Sequence, residues 1–176
     1  PRWAPGLRVP FEPEPDARPD LITFAKGVTS GIVPFSGVLV SGPVAELFEQ
    51  SPEGFPYGHT FSGYPLGCAV AAEAIRVIRD ENLVAESRRK GALLRERLDA
   101  LAAYAPRIGD VRGLGLLLAA ELSAGGAPAV AERLACERRV LVNAVSPTAI
   151  RLCPPLSLTA GEAEEAIAAI AAVLAG

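Results

Sequence analysis

The sequence predicts an α/β fold, and three observations lead to that prediction. Short apolar runs typical of buried strands alternate with longer stretches of helical periodicity along most of the chain. Hydrophobic residues make up 50% of the 176 residues and charged residues 21%, which is enough apolar material for a core. Gly, Pro and Ser residues bound several of these runs, which is typical of the turns and loops that join strands and helices.

The first part of the chain predicts two strands and a short helix. Residues 1–18 contain five prolines and little periodicity, which predicts an irregular lead-in. The apolar runs at 21–25 and 36–41 predict buried strands, because each is short and bounded by turn residues. Pro43 lies at the start of a predicted helix over 44–49, where its missing N–H is tolerated.

A loop, two helices and a third strand follow. Residues 50–65 are rich in Gly, Pro, Ser and aromatic residues and predict a long loop. Small and apolar residues from 66 to about 81 predict a helix that another backbone or helix can approach closely. Leucines at helical spacing predict a second helix over 83–103, and the apolar run 116–122 predicts a strand.

The remaining residues predict two further helices and two further strands. The pattern indicates a helix over 128–139 and short strands at 140–142 and 150–153, the second ended by two prolines. Thr159 and Glu162 have the spacing of a capping box, which predicts that the last helix begins there.

Composition and charge exclude several classes of function. Lys and Arg number 17 against 20 Asp and Glu, so the formal charge of −3 argues against nucleic acid as the main partner. No apolar run reaches the roughly 18–20 residues of a membrane span, so no membrane partner is expected. Three widely spaced cysteines without a CxxC pair indicate a reducing, cytoplasmic location. His59 is the single histidine, which excludes a multi-histidine metal site, and no metal is expected.

Lys26 is the residue whose position points most directly to chemistry. It follows a predicted strand, at the kind of strand end where open α/β sheets gather their reactive groups. A lysine amine partly removed from water there suits covalent bonding to a carbonyl group, for which arginine is no substitute. On position alone, a solvated lysine at a strand end is the competing interpretation.

Four ordered motifs resemble the class III, or ω-type, aminotransferases. They lie at residues 19–31, 59–65, 111–115 and 151–156. The resemblance covers about residues 19–176 and implies part of a fold-type I enzyme that uses pyridoxal 5'-phosphate. It implies the C-terminal part of the large domain, with connecting helices, over 19–103 and the C-terminal small α/β domain over 104–176.

The resemblance implies roles for three residues. Lys26 is implied to bind the cofactor covalently and later to move a proton between substrate and cofactor. Thr60 is implied to bind the cofactor phosphate of the neighbouring subunit, so that a homodimer shares its active sites; a loop-capping threonine is the alternative. Arg151 is implied to bind a substrate carboxylate; a structural arginine paired with an acid is the alternative.

The resemblance implies transfer of an amino group from an amine or amino acid to a 2-oxo acid, both of them small molecules. Arg151 and the segment 141–147 resemble acetylornithine and ornithine aminotransferases. The segment 22–31 is closer to the β-alanine:pyruvate and other ω-amine branches. An aminomutase, which moves the amino group within one molecule, is a further alternative that the motif around Arg151 disfavours.

One motif of the family is not found in this sequence. The stretch D-E-[VI]-x-[TS]-G-[FW]-G-R-T-G, which supplies the acid for the cofactor ring nitrogen, does not occur in residues 1–18. The chain contains no Met, so we expect a fragment, a processed product or a trimmed product. We therefore expect these 176 residues alone to bind cofactor poorly and not to transaminate. A catalytically inactive remnant, acting at most as a dimerising module, is the alternative from another class.

Overall fold

The computed structural model describes residues 19–105 and 107–175. The chain divides into two compact units, one up to Asp80 and one beginning at Glu81. The expected irregular lead-in at residues 1–18 lies outside the described residues. The expected division into domain parts after residue 103 stays a prediction, because the compact units reflect packing within this chain alone.

The described part of the first unit, residues 19–80, contains two strands, a 3₁₀ turn and two helices. They are β1 (Leu21–Phe24), the 3₁₀ turn Lys26–Thr29, β2 (Gly37–Val40), α1 (Gly42–Glu49) and α2 (Pro65–Asp80). Both strands and both helices form within two residues of their predicted bounds. The turn signals that bound each apolar run are therefore reliable guides to the elements of this unit.

β1 and β2 are more exposed than the sequence predicts. They pair antiparallel, from Leu21 opposite Val40 to Phe24 opposite Gly37, in a sheet of two strands. The prediction that both strands are buried is wrong for this chain, since Leu21 is 58% exposed and Val38 55%. With only two described strands in the sheet, each has an unpaired edge and side chains that remain open to solvent.

α2 packs against the 3₁₀ turn through its small residues. Gly67 and Ala71 are the buried residues of this helix. A Cβ on Gly67 would overlap the ring of Phe35, so only glycine permits this contact. The small residues of this helix thus allow an aromatic side chain to approach closely, whereas the predicted close approach of another backbone or helix stays a prediction.

The second unit contains three helices and a four-stranded sheet. Its elements are α3 (Leu83–Tyr104), β3 (Ile108–Leu114), β4 (Leu117–Leu122), α4 (Ala127–Arg138), β5 (Asn143–Ala144), β6 (Ala149–Leu152) and α5 (Ala160–Ala175). The strand order is β3-β4-β6-β5, and every neighbouring pair is antiparallel. β6 is therefore held by partners on both sides, whereas β3 and β5 form the edges of the sheet.

Two details of this sheet differ from the sequence prediction. β3 was not predicted, because only Ile108 and Val111 in the strand are buried and its apolar pattern is weak. The predicted strand at 140–142 is wrong, because strand pairing begins only at Asn143. Arg139 ends α4 in the left-handed conformation. Residues 140–142 then connect the helix to β5, which pairs with β6.

The helices cover one face of the sheet and leave the other open. In β4, Leu118, Ala120 and Leu122 are buried, whereas the residues between them are more exposed. The buried strand residues join one core with side chains from all three helices, among them Leu94, Leu98, Val130, Leu134, Ile170 and Val173. No helix within the described ranges has the length and apolar character needed to cross a membrane.

The predicted capping box at the start of α5 is confirmed. The Glu162 N–H donates to Thr159 Oγ1 at 3.2 Å, and the Thr159 N–H donates to Glu162 Oε2 at 2.7 Å. These bonds satisfy two N–H groups that a helix start leaves without partners. They also lower the pKa of Glu162, with the backbone hydrogen bond from Thr159 as the largest cause.

Candidate functional site

Lys26 lies where β1 ends and the 3₁₀ turn begins. Ala25 is still extended, whereas Lys26 has a φ of 52°, in the left-handed region that non-glycine residues seldom adopt. Ser30 and Gly31 also have positive φ, so the backbone reverses tightly after the lysine. Lys26 is exposed, so the expected partial removal of its amine from water is wrong for this chain, and no described residue hydrogen-bonds its Nζ. Its amine is therefore accessible to a carbonyl compound from outside the chain.

A buried threonine holds this turn in place. Thr29 is fully buried, and its Oγ1 donates to the carbonyl oxygen of Val33 at 2.7 Å. The Ser30 N–H donates to the Gly27 carbonyl oxygen at 3.1 Å, and the Ile32 N–H donates to the Thr29 carbonyl oxygen at 3.0 Å. These hydrogen bonds together hold the turn, so that Lys26 can keep a strained backbone conformation within it.

Thr60 lies in an exposed turn that its neighbours close. The Ser62 N–H donates to the His59 carbonyl oxygen at 2.9 Å, and the His59 N–H donates to Ser62 Oγ at 2.9 Å. The hydroxyl that caps this loop therefore belongs to Ser62. Thr60 Oγ1 has no hydrogen-bond partner among the described residues and can donate to an anion from outside the chain.

Arg151 lies in the middle of β6 on the open face of the sheet. Ala119 on β4 and Asn143 on β5 are the residues directly opposite it. Its Nη2 donates to Asn143 Oδ1 at 3.1 Å. No described carboxylate contacts the guanidinium, whose remaining N–H groups can therefore bind a carboxylate.

Arg112 lies on the same open face but is already paired. Its guanidinium binds the Asp110 carboxylate at 3.3 Å and the Glu121 carboxylate at 2.7 Å. The other oxygen of Glu121 accepts a short hydrogen bond from the Thr148 hydroxyl. The hydrogen bond from Thr148 is the largest cause that lowers the pKa of Glu121, and the hydrogen bond from Arg112 is the second. In turn, the hydrogen bond to Glu121 is the largest cause that raises the pKa of Arg112.

The three sequence-predicted site residues fall in different parts of the structure. Lys26 and Thr60 belong to the first compact unit and Arg151 to the second. In the described part of the first unit, no hydrogen bond joins Lys26 to Thr60. Their roles in one active site therefore stay a prediction.

Asn143 is a hydrogen-bond partner of Arg151 that the sequence analysis did not identify. The Ser146 hydroxyl accepts N–H bonds from Thr148 at 3.2 Å and from Ala149 at 2.9 Å, which closes the turn between β5 and β6. A turn centred on Pro147 places residues 143 and 151 opposite each other in an antiparallel pair. The Ser-Pro-Thr sequence of this turn is the signal that could have identified the contact.

The described residues fit two parts of a pyridoxal-phosphate site. The amine of Lys26 is of the kind that binds the aldehyde of the cofactor, and the hydroxyl of Thr60 is of the kind that binds its phosphate; both roles stay predictions. Asp20, an acid close to the lysine in sequence, accepts a hydrogen bond from Ser41 Oγ at 2.9 Å. Over residues 19–105 and 107–175, no group of His, Cys, Asp and Glu is placed to hold a metal ion.

Comparison with known proteins matches nearly the whole chain to one family. The family model described as aminotransferase class-III matches residues 12–174. Acetylornithine aminotransferase from Bifidobacterium longum is 41% identical over 151 residues, which are 85% of this chain and 33% of that protein. Ornithine aminotransferase from Bordetella pertussis is 39% identical over 158 residues, 89% of this chain and 36% of that protein. The chain thus spans about a third of the length of these curated relatives.

Solved structures agree with this match. A transaminase from the marine bacterium Virgibacillus superposes with a TM-score of 0.85 at 36% identity, over 91% of this chain and 40% of that one. Ornithine aminotransferase from Toxoplasma gondii ME49 superposes with a TM-score of 0.80 at 32% identity, over 91% of this chain and 38% of that one. The two compact units therefore have the fold of part of a transaminase.

Proposed function

Because this chain belongs to the class III aminotransferases, we propose that the protein transfers an amino group from an amine or amino acid to a 2-oxo acid. Enzymes of this family depend on pyridoxal 5'-phosphate. The observation that carries the proposal is the accessible amine of Lys26, which has no partner among the described residues and lies in a strained turn held by Thr29. Strain of this kind clusters at functional sites.

Lys26 is the residue that holds the cofactor and moves the proton. When bound, pyridoxal 5'-phosphate supplies an electron-withdrawing ring that stabilises negative charge on the substrate carbon. Lys26 Nζ would hold the cofactor through its aldehyde group. The Lys26 amine would also act as the base that takes a proton from the substrate carbon and later gives it back, a role that suits a long and flexible side chain.

Thr60 binds the cofactor phosphate across a homodimer in this proposal. The exposed turn presents the hydroxyl without a competing partner among the described residues, which supports binding to an anion from a second copy.

The three cysteines, Cys68, Cys136 and Cys153, are free and exposed. Free thiols at the surface suit a reducing compartment, so we place the protein in the cytoplasm.

Arg151 binds the substrate carboxylate in this proposal. Its guanidinium keeps N–H groups that Asn143 does not use, and a planar fork of donors matches a carboxylate. Relatives described as acetylornithine and ornithine aminotransferases favour an amino acid as donor. Other relatives are described as γ-aminobutyrate transaminases, so an ω-amino acid is the second candidate for the amino donor.

The second candidate function is a catalytically inactive module that at most dimerises. The exposure of Leu21, Val38 and Leu39 on the β1–β2 pair favours it, since these apolar side chains need a further surface to cover them. The two candidates differ in one measurable property. A cofactor-binding chain directs pyridoxal phosphate to one lysine, whereas a bare module does not.

Trapping with borohydride tests the proposal. The 176-residue chain is mixed with pyridoxal phosphate, reduced, and mapped by mass spectrometry, because reduction fixes the cofactor on the lysine that it contacts. We expect this chain alone to bind the cofactor poorly, but we expect the label that does form to lie mostly on Lys26, since Lys90 Nζ already donates to the Leu156 carbonyl oxygen at 2.9 Å. Lys26→Arg should abolish the label and Lys90→Arg should leave it, because a guanidinium does not replace the amine.

Equal labelling of Lys26 and Lys90, or none on Lys26, would contradict cofactor binding by this chain and favour the inactive module. A half-reaction with an amino donor provides the second readout. We expect no amino transfer by these 176 residues at an enzyme-like rate. Rapid formation of the aminated cofactor would show that this expectation is wrong.

A further inference from the structure

Four residues form one row across the open face of the sheet. Arg112 lies opposite Ala119, Ala119 lies opposite Arg151, and Arg151 lies opposite Asn143. Neighbouring strands are about 5 Å apart, so the side chains of such a row stand beside one another. The surroundings of Arg151 on this face are therefore set by Asn143 on one side and by Ala119 on the other.

The partner of Arg151 is unusual within this chain. Every other described arginine that hydrogen-bonds a side chain pairs with a carboxylate; these are Arg76, Arg79, Arg89, Arg95, Arg97, Arg112 and Arg133. Arg151 instead donates to the neutral amide oxygen of Asn143. An amide accepts one N–H and fixes the guanidinium, but it leaves the positive charge uncancelled.

The nearby acid on the same face is not available to Arg151. Glu121 lies two residues along β4 from Ala119, on the same face, and could reach toward Arg151. Its two carboxylate oxygens are instead bound by Arg112 and by the Thr148 hydroxyl. Ala119 adds neither charge nor bulk between the two arginines. The side of the Arg151 guanidinium away from Asn143 therefore stays open and charged.

We propose that Asn143 is a positioning residue: its amide oxygen fixes the Arg151 guanidinium without neutralising it, so that the free N–H edge meets the carboxylate of an amino-acid or 2-oxo-acid substrate. This inference rests on the proposed role of Arg151 as the carboxylate-binding residue. Binding of a carboxylate by Arg151 in this way requires an amide side chain at residue 143. Alanine leaves the guanidinium free to move, and aspartate holds it in place but cancels the charge that attracts the substrate.

The test measures binding of 2-oxoglutarate by the 176-residue chain, labelled with ¹⁵N, through the Arg151 Nε–H resonance and, in every variant including Arg151→Gln, through the backbone amide resonances of β5 and β6. Arg151→Gln assigns that resonance, and thermal unfolding of each variant is measured in parallel. We expect Asn143→Ala to weaken binding roughly threefold to tenfold, the equivalent of one lost hydrogen bond. We expect Asn143→Asp to weaken binding more than tenfold while the unfolding midpoint stays equal or rises.

Two matched variants control for charge and for the loss of an arginine. Leu141→Asp adds the same negative charge at a side chain that is 87% exposed, two residues before Asn143, and should weaken binding less than Asn143→Asp. Arg97→Gln removes an arginine that pairs with Glu164 and should leave binding unchanged. A purely structural role of Asn143 would make binding and the unfolding midpoint fall together in Asn143→Asp.

The outcomes separate this inference from the proposed function. If Arg151→Gln abolishes binding but Asn143→Asp behaves like Leu141→Asp, the role of Asn143 is wrong and that of Arg151 stands. If Arg151→Gln binds 2-oxoglutarate as well as the parent chain, or if the parent resonance does not shift with 2-oxoglutarate, both are wrong. Loss of binding in Asn143→Asp with an unchanged or raised unfolding midpoint supports both.

Discussion

The backbone of Gly91, in the middle of α3, lies directly against the backbone of Gly115 in the turn between β3 and β4. A Cβ on Gly91 would overlap the Gly115 carbonyl group. Gly115 has a φ of 56°, so the turn also needs a residue that adopts the left-handed region easily. This contact fixes the distance between the helix and the hairpin, and Leu94 and Leu98 of the same helix then enter the core.

Gly91→Ala is therefore expected to destabilise the chain. Alanine favours a helix over glycine by up to about 1 kcal/mol, but forcing a methyl group against backbone costs about 1–3 kcal/mol or more. The matched control is Gly161→Ala near the start of α5, where a Cβ meets nothing within 4 Å. Chemical denaturation should show a loss of stability for Gly91→Ala and an unchanged or increased stability for Gly161→Ala. Equal stability of the two variants would contradict the close contact.

Lys26→Gly is expected to stabilise the first unit while it removes cofactor labelling. The left-handed conformation at Lys26 costs a non-glycine residue about 1–2 kcal/mol, part of which glycine loses again through its more flexible unfolded chain. Ser30→Gly is the matched control, because Ser30 has the same φ of 52°. The Ser30→Gly variant should stabilise the first unit by a similar amount and should retain the cofactor label on Lys26. A Lys26→Gly chain less stable than the parent would show that the lysine is not strained.

Thr159→Ala is expected to lower the free energy of unfolding by about 1 kcal/mol. The Thr159 hydroxyl accepts the N–H of Glu162 at the start of α5, and alanine leaves that donor without its cap. Thr159→Ser keeps the hydroxyl and should lose much less. Urea unfolding of the two variants measures the difference, and an equally large loss with serine would assign the effect to the threonine methyl group instead.

Glu121 is expected to make stability depend on pH in the acidic range. Its pKa is lowered from the ordinary value of 4.5 by the Thr148 hydroxyl and by Arg112. A lowered folded-state pKa means that the stabilising effect is present above pH 4.5 and is lost as the pH falls through the folded value. Thr148→Val should raise the pKa of Glu121 toward 4.5 in an NMR titration, whereas Thr148→Ser should preserve the shift. An identical Glu121 pKa in both variants would rule out the hydroxyl as the main cause.

The elements of this fold that carry a strong local signal could be predicted from the sequence. The capping pair Thr159 and Glu162 identified the start of α5, and Pro43 identified the first turn of α1. The order of the motifs around Lys26, Thr60 and Arg151 indicated the family, which the match over residues 12–174 confirms. Each of these signals consists of residues that are close together in the sequence, so it can be recognised without knowledge of the tertiary structure.

Other features depend on which strands meet, and the sequence did not reveal them. β3 has too few buried residues for its pattern to be noticed, and it becomes a strand because β4 pairs with it. The exposure of β1 and β2 follows from the absence of a third described strand beside them, which their apolar sequences do not show. Pairing partners lie far apart along the chain, and local propensity does not select them.

The family is therefore readable from the sequence alone, whereas the roles of Lys26 toward the cofactor and of Arg151 toward a carboxylate stay predictions. Strand pairing, which the sequence does not reveal, places Asn143 beside Arg151 with no acid among the described residues in contact with it. It also brings Arg112 and Thr148 to the two carboxylate oxygens of Glu121. The physical reason is that a guanidinium is the same group wherever it occurs in a sequence. Its free charge depends on the side chains that the register of the sheet places around it.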